Sequence, residues 1–254
     1  MKTSNKILVV ASLIVIAYLT VYDLGLQAEY RKGDYKKQFY HMQQLSFAHF
    51  NVIKHNAGNI IGLQIEKGPY GVWVDDNLKD KVTITQHDQM LQIDYTGKEN
   101  YNNGYSPAII ITCPGVAGVF TNAFIKPGGN PDNRYLRKNG NSMIIDYYPH
   151  GITTVMRFDQ PAMTVQANEF TEIHLTKNTL DVLNAKVGDR PNGKAGLTID
   201  ADNQLKYADF EVPGKSTLTL DNLLIGKVTY KLADSAQVNL TGMAVHLLDH
   251  PSTP

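Results

Sequence analysis

The sequence predicts an all-β body, built as a small parallel β-helix, that follows one N-terminal hydrophobic helix. Three observations lead to this prediction. An uncharged apolar run follows two lysines at the N-terminus, apolar and polar residues alternate with a period of two from residue 45 onward, and a spacing of about twenty residues recurs in the C-terminal third.

The apolar run ILVVASLIVIAYLTVY covers residues 7–22, behind Lys2 and Lys6. As a helix it would span roughly 24 Å, and continuing it to Leu26 brings it near the bilayer core of about 30 Å. We expect a retained membrane anchor. Cleavage as a signal peptide is the alternative, but Leu26 stands two residues before Ala28, where a cleavage site needs a small residue.

Both interpretations place the chain in a membrane system, and the basic start favours export of the body. The prediction is a membrane-anchored protein whose body lies in the periplasm or at the cell surface. Its segments are an anchor or uncleaved signal (1–26), a juxtamembrane linker (27–44) and a β-helix domain (45–250). The orientation in the membrane and the oligomeric state are left open.

Charge and cysteine content exclude several classes of protein. Lys+Arg and Asp+Glu number 24 each, so no global positive field would attract nucleic acid. Cys113 is the one cysteine, which excludes an internal disulfide and a cysteine-rich zinc site. It ends the apolar run AIIITC, where a buried structural thiol is expected.

Short segments of strand character fill the body. KVTITQ at 81–86, MLQIDY at 90–95, AIIIT at 108–112 and SMIIDY at 142–147 alternate or run apolar, with many β-branched residues. Glycine, proline, asparagine and aspartate separate them, as in EKGPYG and RPNGK. No segment between them has the helical period that the crossovers of an α/β sheet would need.

The C-terminal third can be written as three successive lines: GLTIDADNQLKYADFEVPGK, STLTLDNLLIGKVTYKLADS and AQVNLTGMAVHLL. One apolar pair per line then falls into a column: Leu197 and Ile199, Leu218 and Leu220, Val238 and Leu240. Such a repeat is typical of stacked turns, because one turn alone cannot bury its apolar side. The alignment also places Tyr207 near Val228 and Tyr230, with Val245 and Leu247 in the last line.

Several motifs resemble the bacterial head GIN domain family, which groups putative auto-transporter adhesins. They are the opening F..FNVI, then GLQIEKGPYGVWVDD, KVTITQ....LQIDY, AIIITCPGVAGV and ADSAQVNLTG, which together cover most of residues 45–248. The resemblance implies a right-handed parallel β-helix on an exported protein. It implies no catalytic residues.

Catalytic and cofactor motifs are not found, so we expect no catalytic residue, no cofactor and no metal site. PGKST has Asp209 where a phosphate-binding loop needs its first glycine, and the eight histidines lack metal-ligand spacing. Because β-helices often carry polysaccharide enzymes, the carboxylates are candidates for an acid–base site. Asp181, Asp200, Asp202 and Asp221 could stack along one edge near Lys206 or Lys227, but these residues also fit turn-forming roles.

Aromatic and arginine side chains give the one prediction of a binding site. Trp73 lies between Val72 and Val74, so it faces outward if the valines face the core. Arg134, Tyr135 and Arg137 lie in the insertion NPDNRYLRKNG, which we expect to form a loop. Such side chains supply much of the binding energy of protein surfaces.

The sequence therefore predicts a non-catalytic cell-envelope protein that displays a β-helix as a binding or adhesion surface. Its partners would be the membrane, through the N-terminal helix, and a glycan or another envelope protein. Two alternatives stay open. One is an accessory or structural subunit of a membrane complex, and the other is a small polysaccharide-acting enzyme on a β-helix.

Overall fold

A computed structural model describes residues 3–33, 39–97, 107–124, 135–139, 142–146, 151–190 and 194–248. The chain divides into two compact units, Met1–Met42 and Gln43–Pro254.

The first unit is built on one helix, α1, which spans Thr3–Lys32. Its segment Val9–Ala28 has a mean hydropathy of 2.0 over 20 residues, and its side chains are all exposed. An apolar surface on every side suits lipid rather than a protein core. The Thr20 hydroxyl donates to the carbonyl of Ile16 at 2.8 Å, which satisfies a polar group within this surface. The predicted apolar helix is confirmed, and by length and composition it can cross a membrane.

The second unit is almost entirely β. Its strands are β1 Met42–Leu45, β2 Val52–His55, β3 Leu63–Lys67, β4 Gly71–Asp75, β5 Val82–His87, β6 Met90–Tyr95, β7 Ile109–Cys113, β8 Gly118–Thr121, β9 Tyr135–Asn139, β10 Ser142–Asp146, β11 Thr153–Met156, β12 Asp159–Ala167, β13 Glu172–Thr176, β14 Thr179–Val187, β15 Gly196–Ile199, β16 Gln204–Val212, β17 Thr217–Asp221, β18 Ile225–Leu232 and β19 Gln237–Thr241. A 3₁₀ helix, Gly242–Leu248, follows β19. The all-β prediction for the body is confirmed.

Two mixed sheets contain most of these strands. Sheet A has the order β1-β4-β7-β3-β11-β13-β15-β17-β19, and sheet B has the order β18-β16-β14-β12-β8-β2-β6-β5. From β11 to β19 the chain alternates between the sheets, and each strand pairs in parallel with the next strand of its own sheet. Strands β4 and β5 instead pair antiparallel with β7 and β6.

The predicted repeat is confirmed in sheet A. Leu197 lies beside Leu218, and Leu218 lies beside Val238; Ile199, Leu220 and Leu240 form the second column. Leu218 and Leu220 are fully buried. Burying a leucine side chain contributes roughly 1.5–3 kcal/mol, so each turn adds a comparable increment to the common core.

In the N-terminal part of both sheets, neighbouring strands do not follow the order of the sequence as they do in the repeat. Strand β2 pairs with both β6 and β8, and β3 pairs with both β7 and β11. Strands β2 and β3 therefore each lie between two strands that come later in the sequence. Residues 114–117 connect β7, on one side of these two strands, to β8, on the other side.

Asparagine side chains hold two corners of the β unit. The buried Asn178 Nδ2 donates to Asn203 Oδ1 at 3.0 Å and to the carbonyl of Val155 at 3.0 Å, while Asn203 Nδ2 donates to the carbonyl of Leu175 at 2.7 Å. At another corner, Asn122 donates to Asn56 at 2.8 Å and Asn168 donates to Asn122 at 2.7 Å. Each amide satisfies backbone or side-chain groups of the adjacent turn, which stabilises the stacking.

One position in each strand of sheet B from β12 to β18 is left out of the strand pairing. Pro161, Asp181, Lys206 and Gly226 are skipped in the pairing of successive strands. At the last of them, a Cβ atom on Gly226 would lie 2.7 Å from the carbonyl oxygen of Lys206. Only glycine fits this position, because the backbone of the preceding turn occupies the space of a side chain.

Three expectations from the sequence, two from the repeat and one for the insertion, differ from the structure. Tyr207 lies beside Lys227, whereas Phe210 lies beside Tyr230. Val245 belongs to the 3₁₀ helix and not to a third sheet B strand, since Gly242 turns the chain at φ +53°. The insertion is not simply a loop, because Tyr135–Asn139 forms an antiparallel hairpin with Ser142–Asp146.

The register of β17 predicts different effects for two neighbouring substitutions. Leu220→Asp would place an unpaired carboxylate in the core, and should lower the free energy of unfolding by several kcal/mol. Thr219→Asp, on the half-exposed opposite face, should cost less than about 1 kcal/mol. Denaturant unfolding of the full chain measures both, and equal losses would contradict the assigned register.

Candidate functional site

Trp73 lies on the outer face of sheet A. Val72 and Val74 are buried in the core, and Trp73, between them, is half-buried on the opposite face. Its indole ring lies over Gly71, where a Cβ atom would be 2.0 Å from the ring carbon Cη2. The glycine therefore makes room for the ring, and this contact restricts its orientation.

The pairing register extends from Trp73 into a row of outward-facing side chains. Trp73 lies beside Ile110, which lies beside Gln64. Further members, in order across the sheet, are Thr154, His174, Thr198, Thr219 and Asn239. We call Gln64 and these five residues the outer row; all six are half-buried. Neighbouring strands lie about 4.8 Å apart, so the row presents hydroxyl and amide groups at regular intervals.

His174 is the titratable member of the outer row. Its Nε2 atom lies 2.7 Å from Glu172 Oε1. The hydrogen bond to Glu172 raises the pKa of His174, burial opposes the shift, and the nearby charges of Glu172 and Asp200 add to it. The row therefore has one position that gains positive charge more readily than an ordinary histidine.

The other residues of the predicted site do not belong to the described strands of sheet A. Arg134 lies outside the described residues. Tyr135 and Arg137 lie on β9, whose backbone pairs with β10 in a sheet of two strands. The prediction that these three residues act together with Trp73 stays a prediction.

The carboxylates considered for catalysis do not form one group. Asp181 lies on sheet B and pairs with Lys206 at 2.5 Å. Asp202 accepts from the Lys177 backbone amide at 2.9 Å and from the Thr176 hydroxyl at 3.1 Å. Asp221 accepts from Thr241. These contacts are those of turn-forming and inter-strand residues.

A groove of about 360 Å³ lies near the C-terminal end of the β unit. Its lining combines Gln204, Lys206 and Asn222 with the exposed side chains of Leu224 and Met243. In the part of the chain that the structure describes, no three His, Cys, Asp or Glu residues are grouped as metal ligands.

Burial shifts the pKa values of two titratable side chains, Cys113 and His55. Cys113 is fully buried, and burial raises the pKa of its thiol to about 12, which leaves little reactive thiolate. His55 is also fully buried, with Nδ1 3.2 Å from the hydroxyl of Thr153. Among the described residues its Nε2 has no hydrogen-bond partner, and burial lowers the pKa of this histidine to about 3.

The sequence contained only part of the signal for the outer row. Thr198, Thr219 and Asn239 each lie between the two apolar residues of the repeat, so their outward direction follows from the alternation. Gln64, Thr154 and His174 lie where the repeat is interrupted by insertions and by the order of β2 and β3. Their place in the row follows only from the strand pairing.

Comparisons with known proteins bear on the fold. The chain is similar to the crystal structure of a putative adhesin from Parabacteroides distasonis, at 16% sequence identity and a TM-score of 0.52, over 78% of this chain and 71% of that one. A putative adhesin from Bacteroides fragilis matches at 14% identity and a TM-score of 0.39, over 79% of this chain and 96% of that chain. The first likeness shows a shared fold.

No protein-family model matches the sequence, and no curated protein matches it either.

His55 predicts a loss of stability in acid. The unfolded chain binds a proton at this histidine below about pH 6.5, whereas the folded chain does so only near pH 3. The stabilisation is therefore complete above pH 6.5, and about 1.4 kcal/mol should be lost per pH unit between 6.5 and 3. His55→Leu should show a shallower decrease of unfolding free energy between pH 7.5 and pH 4.5.

His87→Leu is the matched control, since His87 is exposed on β5. It should keep the pH dependence of the wild type in denaturant titrations. An unchanged slope in His55→Leu would contradict the assignment.

Proposed function

We propose that the protein is a non-catalytic, membrane-anchored cell-envelope protein that presents its β unit as an adhesion-type binding surface for an extended glycan. The outer row beside Trp73 is the observation that carries this proposal. It combines a ring of restricted orientation with hydrogen-bonding side chains on successive strands.

The chemistry of the row suits a glycan chain that lies across the strands. Thr154, Thr198 and Thr219 offer hydroxyl groups, while Gln64 and Asn239 offer amides that both donate and accept. These groups match the hydroxyls of sugars without needing a large charge. Trp73 adds an apolar ring with an N–H donor, the kind of side chain that anchors binding surfaces.

The scaffold in this proposal is a right-handed parallel β-helix of the head GIN type. The parallel pairing of β11 through β19 and the alternation between two sheets support stacked turns. The right hand follows the rule for parallel crossover connections. The fold likeness to a protein called a putative adhesin supports a binding role over a catalytic one.

The anchor in this proposal is α1, retained at the N-terminus. The exposed apolar surface of Val9–Ala28 supports it. The body then lies in the periplasm or at the cell surface, within reach of envelope glycans. Membrane attachment would hold the binding surface near those glycans, so modest affinity at each sugar would suffice for adhesion.

Fractionation of cells tests the anchor. The intact protein should stay with membranes through high-salt and carbonate washes, because burial of α1 in lipid is insensitive to salt. N-terminal sequencing should begin at Met1 or Lys2. A soluble body that begins near Glu29 would show cleavage instead.

Binding to envelope polysaccharide from the protein's own cells tests the surface. The full chain in detergent should be retained on immobilised polysaccharide, and Trp73→Ala with Tyr135→Ala should weaken retention at least tenfold. Loss of one well-packed aromatic anchor costs roughly 2 kcal/mol or more, which corresponds to about thirtyfold. Trp73→Phe keeps a ring over Gly71 and should retain part of the affinity.

Tyr207→Ala is the matched control on sheet B, and it should bind as the wild type does. Melting temperatures of all variants should stay within the range of the wild type, which separates lost binding from lost folding. Changing Asp200, Asp202 and Asp221 to Asn should leave retention nearly unchanged. Loss of binding in that triple variant alone, together with turnover of the polysaccharide, would favour an enzyme.

A further inference from the structure

The C-terminal edge of sheet A is a strand without charge. Strand β19, QVNLT, is the last member of the sheet order and contains no lysine, glutamate, proline or glycine. Natural sheets protect their edges with charged residues, proline, bulges or very short strands, because unpaired backbone groups attract another strand. Strand β19 has none of these protections.

The backbone direction of β19 is set by its bonds to β17. The amide of Gln237 donates to the carbonyl of Ser216 at 3.0 Å, and the carbonyl of Thr241 accepts from Asn222 at 3.0 Å. Successive residues of a strand direct their backbone groups to opposite sides. Val238 and Leu240 therefore direct their N–H and C=O groups to the edge, where no described strand lies.

The core is also incomplete at this end. Leu218 and Leu220 are fully buried, whereas Val238 and Leu240, one strand further in the same columns, are only half-buried. Between residues 43 and 248, the exposed large apolar side chains that the structure describes all follow β17 in the sequence: Leu224, Leu232, Met243 and Val245. Such a concentration on a protein surface indicates an interaction site.

We propose that β19 pairs antiparallel with β19 of a second copy of this chain, around a twofold axis at Asn239. In this register Val238 lies opposite Leu240 of the second copy, Gln237 lies opposite Thr241, and Asn239 lies opposite itself. Apolar residues meet apolar residues and polar residues meet polar residues, so the strand is complementary to itself. A twofold interface requires this property.

The hydrogen-bond pattern agrees with this register. Val238 and Leu240 direct their backbone groups to the edge, so each Val238–Leu240 pair exchanges two hydrogen bonds across the interface. The central Asn239 pair is then a non-hydrogen-bonded pair, in which the two Cα atoms lie about 4.5 Å apart. All four outward backbone donors and acceptors on each copy are satisfied.

The axis is perpendicular to the sheet, so the outer faces of both copies lie on the same side. The two outer rows then meet at Asn239 and form one row of twice the length. If the outer row binds a glycan as proposed above, the pair would engage a longer stretch of one chain. The pairing itself does not depend on that function.

A single cysteine tests the pairing in the full chain purified in detergent. In Asn239→Cys the two thiols should form a disulfide-linked dimer under mild oxidation, because a Cα separation of about 4.5 Å lies within the range for disulfides. Thr219→Cys, in the same row on β17, is the matched control and should stay monomeric on the gel. Cys113 is fully buried and should contribute no background.

A second variant separates this pairing from association through α1. Asn239→Lys places two ammonium groups together at the axis, and should convert the dimer to a monomer in light scattering at an unchanged melting temperature. Trp73→Ala, which should lose polysaccharide binding, should remain a dimer in light scattering, so a failure of the pairing and a failure of the binding surface are measured separately. The pairing would be overturned if Asn239→Lys remained a dimer. It would also be overturned if Asn239→Cys stayed monomeric after oxidation, or if its new thiol formed a disulfide with a different protein.

Discussion

The parallel hydrogen-bond ladder between successive turns is the constraint on which the rest of the β unit depends. Each turn must bring its strand back beside the previous one, so its inward side chains fall on the same positions. Leu197, Leu218 and Val238 obey this requirement in sheet A. The ladder does not fix the length of the corners. Ile173 pairs with Leu197 across 24 residues, whereas Leu218 pairs with Val238 across 20, and the extra residues lie between the strands. Register is therefore strict within strands, and insertions are tolerated where strands end.

The same ladder creates the candidate binding surface. A residue that lies between two inward positions faces out, and the stacking repeats it at the strand spacing on the outside. Thr198 and Thr219 owe their alignment to Leu197 and Leu218, which they neighbour in sequence. The strand pairing that gives a continuous core therefore also gives a regular outer row, and no additional interaction is needed to align it. The chemistry of that row is then free to vary, because a half-buried hydroxyl contributes little to folding. Trp73 differs, since its ring also requires Gly71 beneath it.

The parts that could be predicted from the sequence are those that local patterns determine. The apolar columns of β15, β17 and β19 follow from alternation and repeat, and the outward direction of Trp73 follows from its two valine neighbours. The insertion of β2 and β3 between later strands has no local signal, because it depends on which distant strands pair. Lys206 was expected near the aspartates, and it pairs with Asp181 because β14 and β16 are neighbours in sheet B. Val245 continued the apolar pattern of a strand, yet the turn at Gly242 begins a 3₁₀ helix there.

The β5 edge of sheet B and the β19 edge of sheet A differ in how far they prevent pairing with a further strand. At the N-terminal end, sheet B ends in β5, which pairs antiparallel with β6 and is flanked by Lys81 and Asp88. Charges beside an edge strand discourage further pairing. At the C-terminal end, β19 has no charge, and the 3₁₀ helix buries Ala244 while Val238 and Leu240 stay half-exposed. The β19 edge of sheet A therefore differs from the β5 edge of sheet B, because an uncharged edge can pair with a strand of matching pattern. The strand that matches QVNLT in antiparallel register, apolar against apolar and amide against amide, is β19 itself.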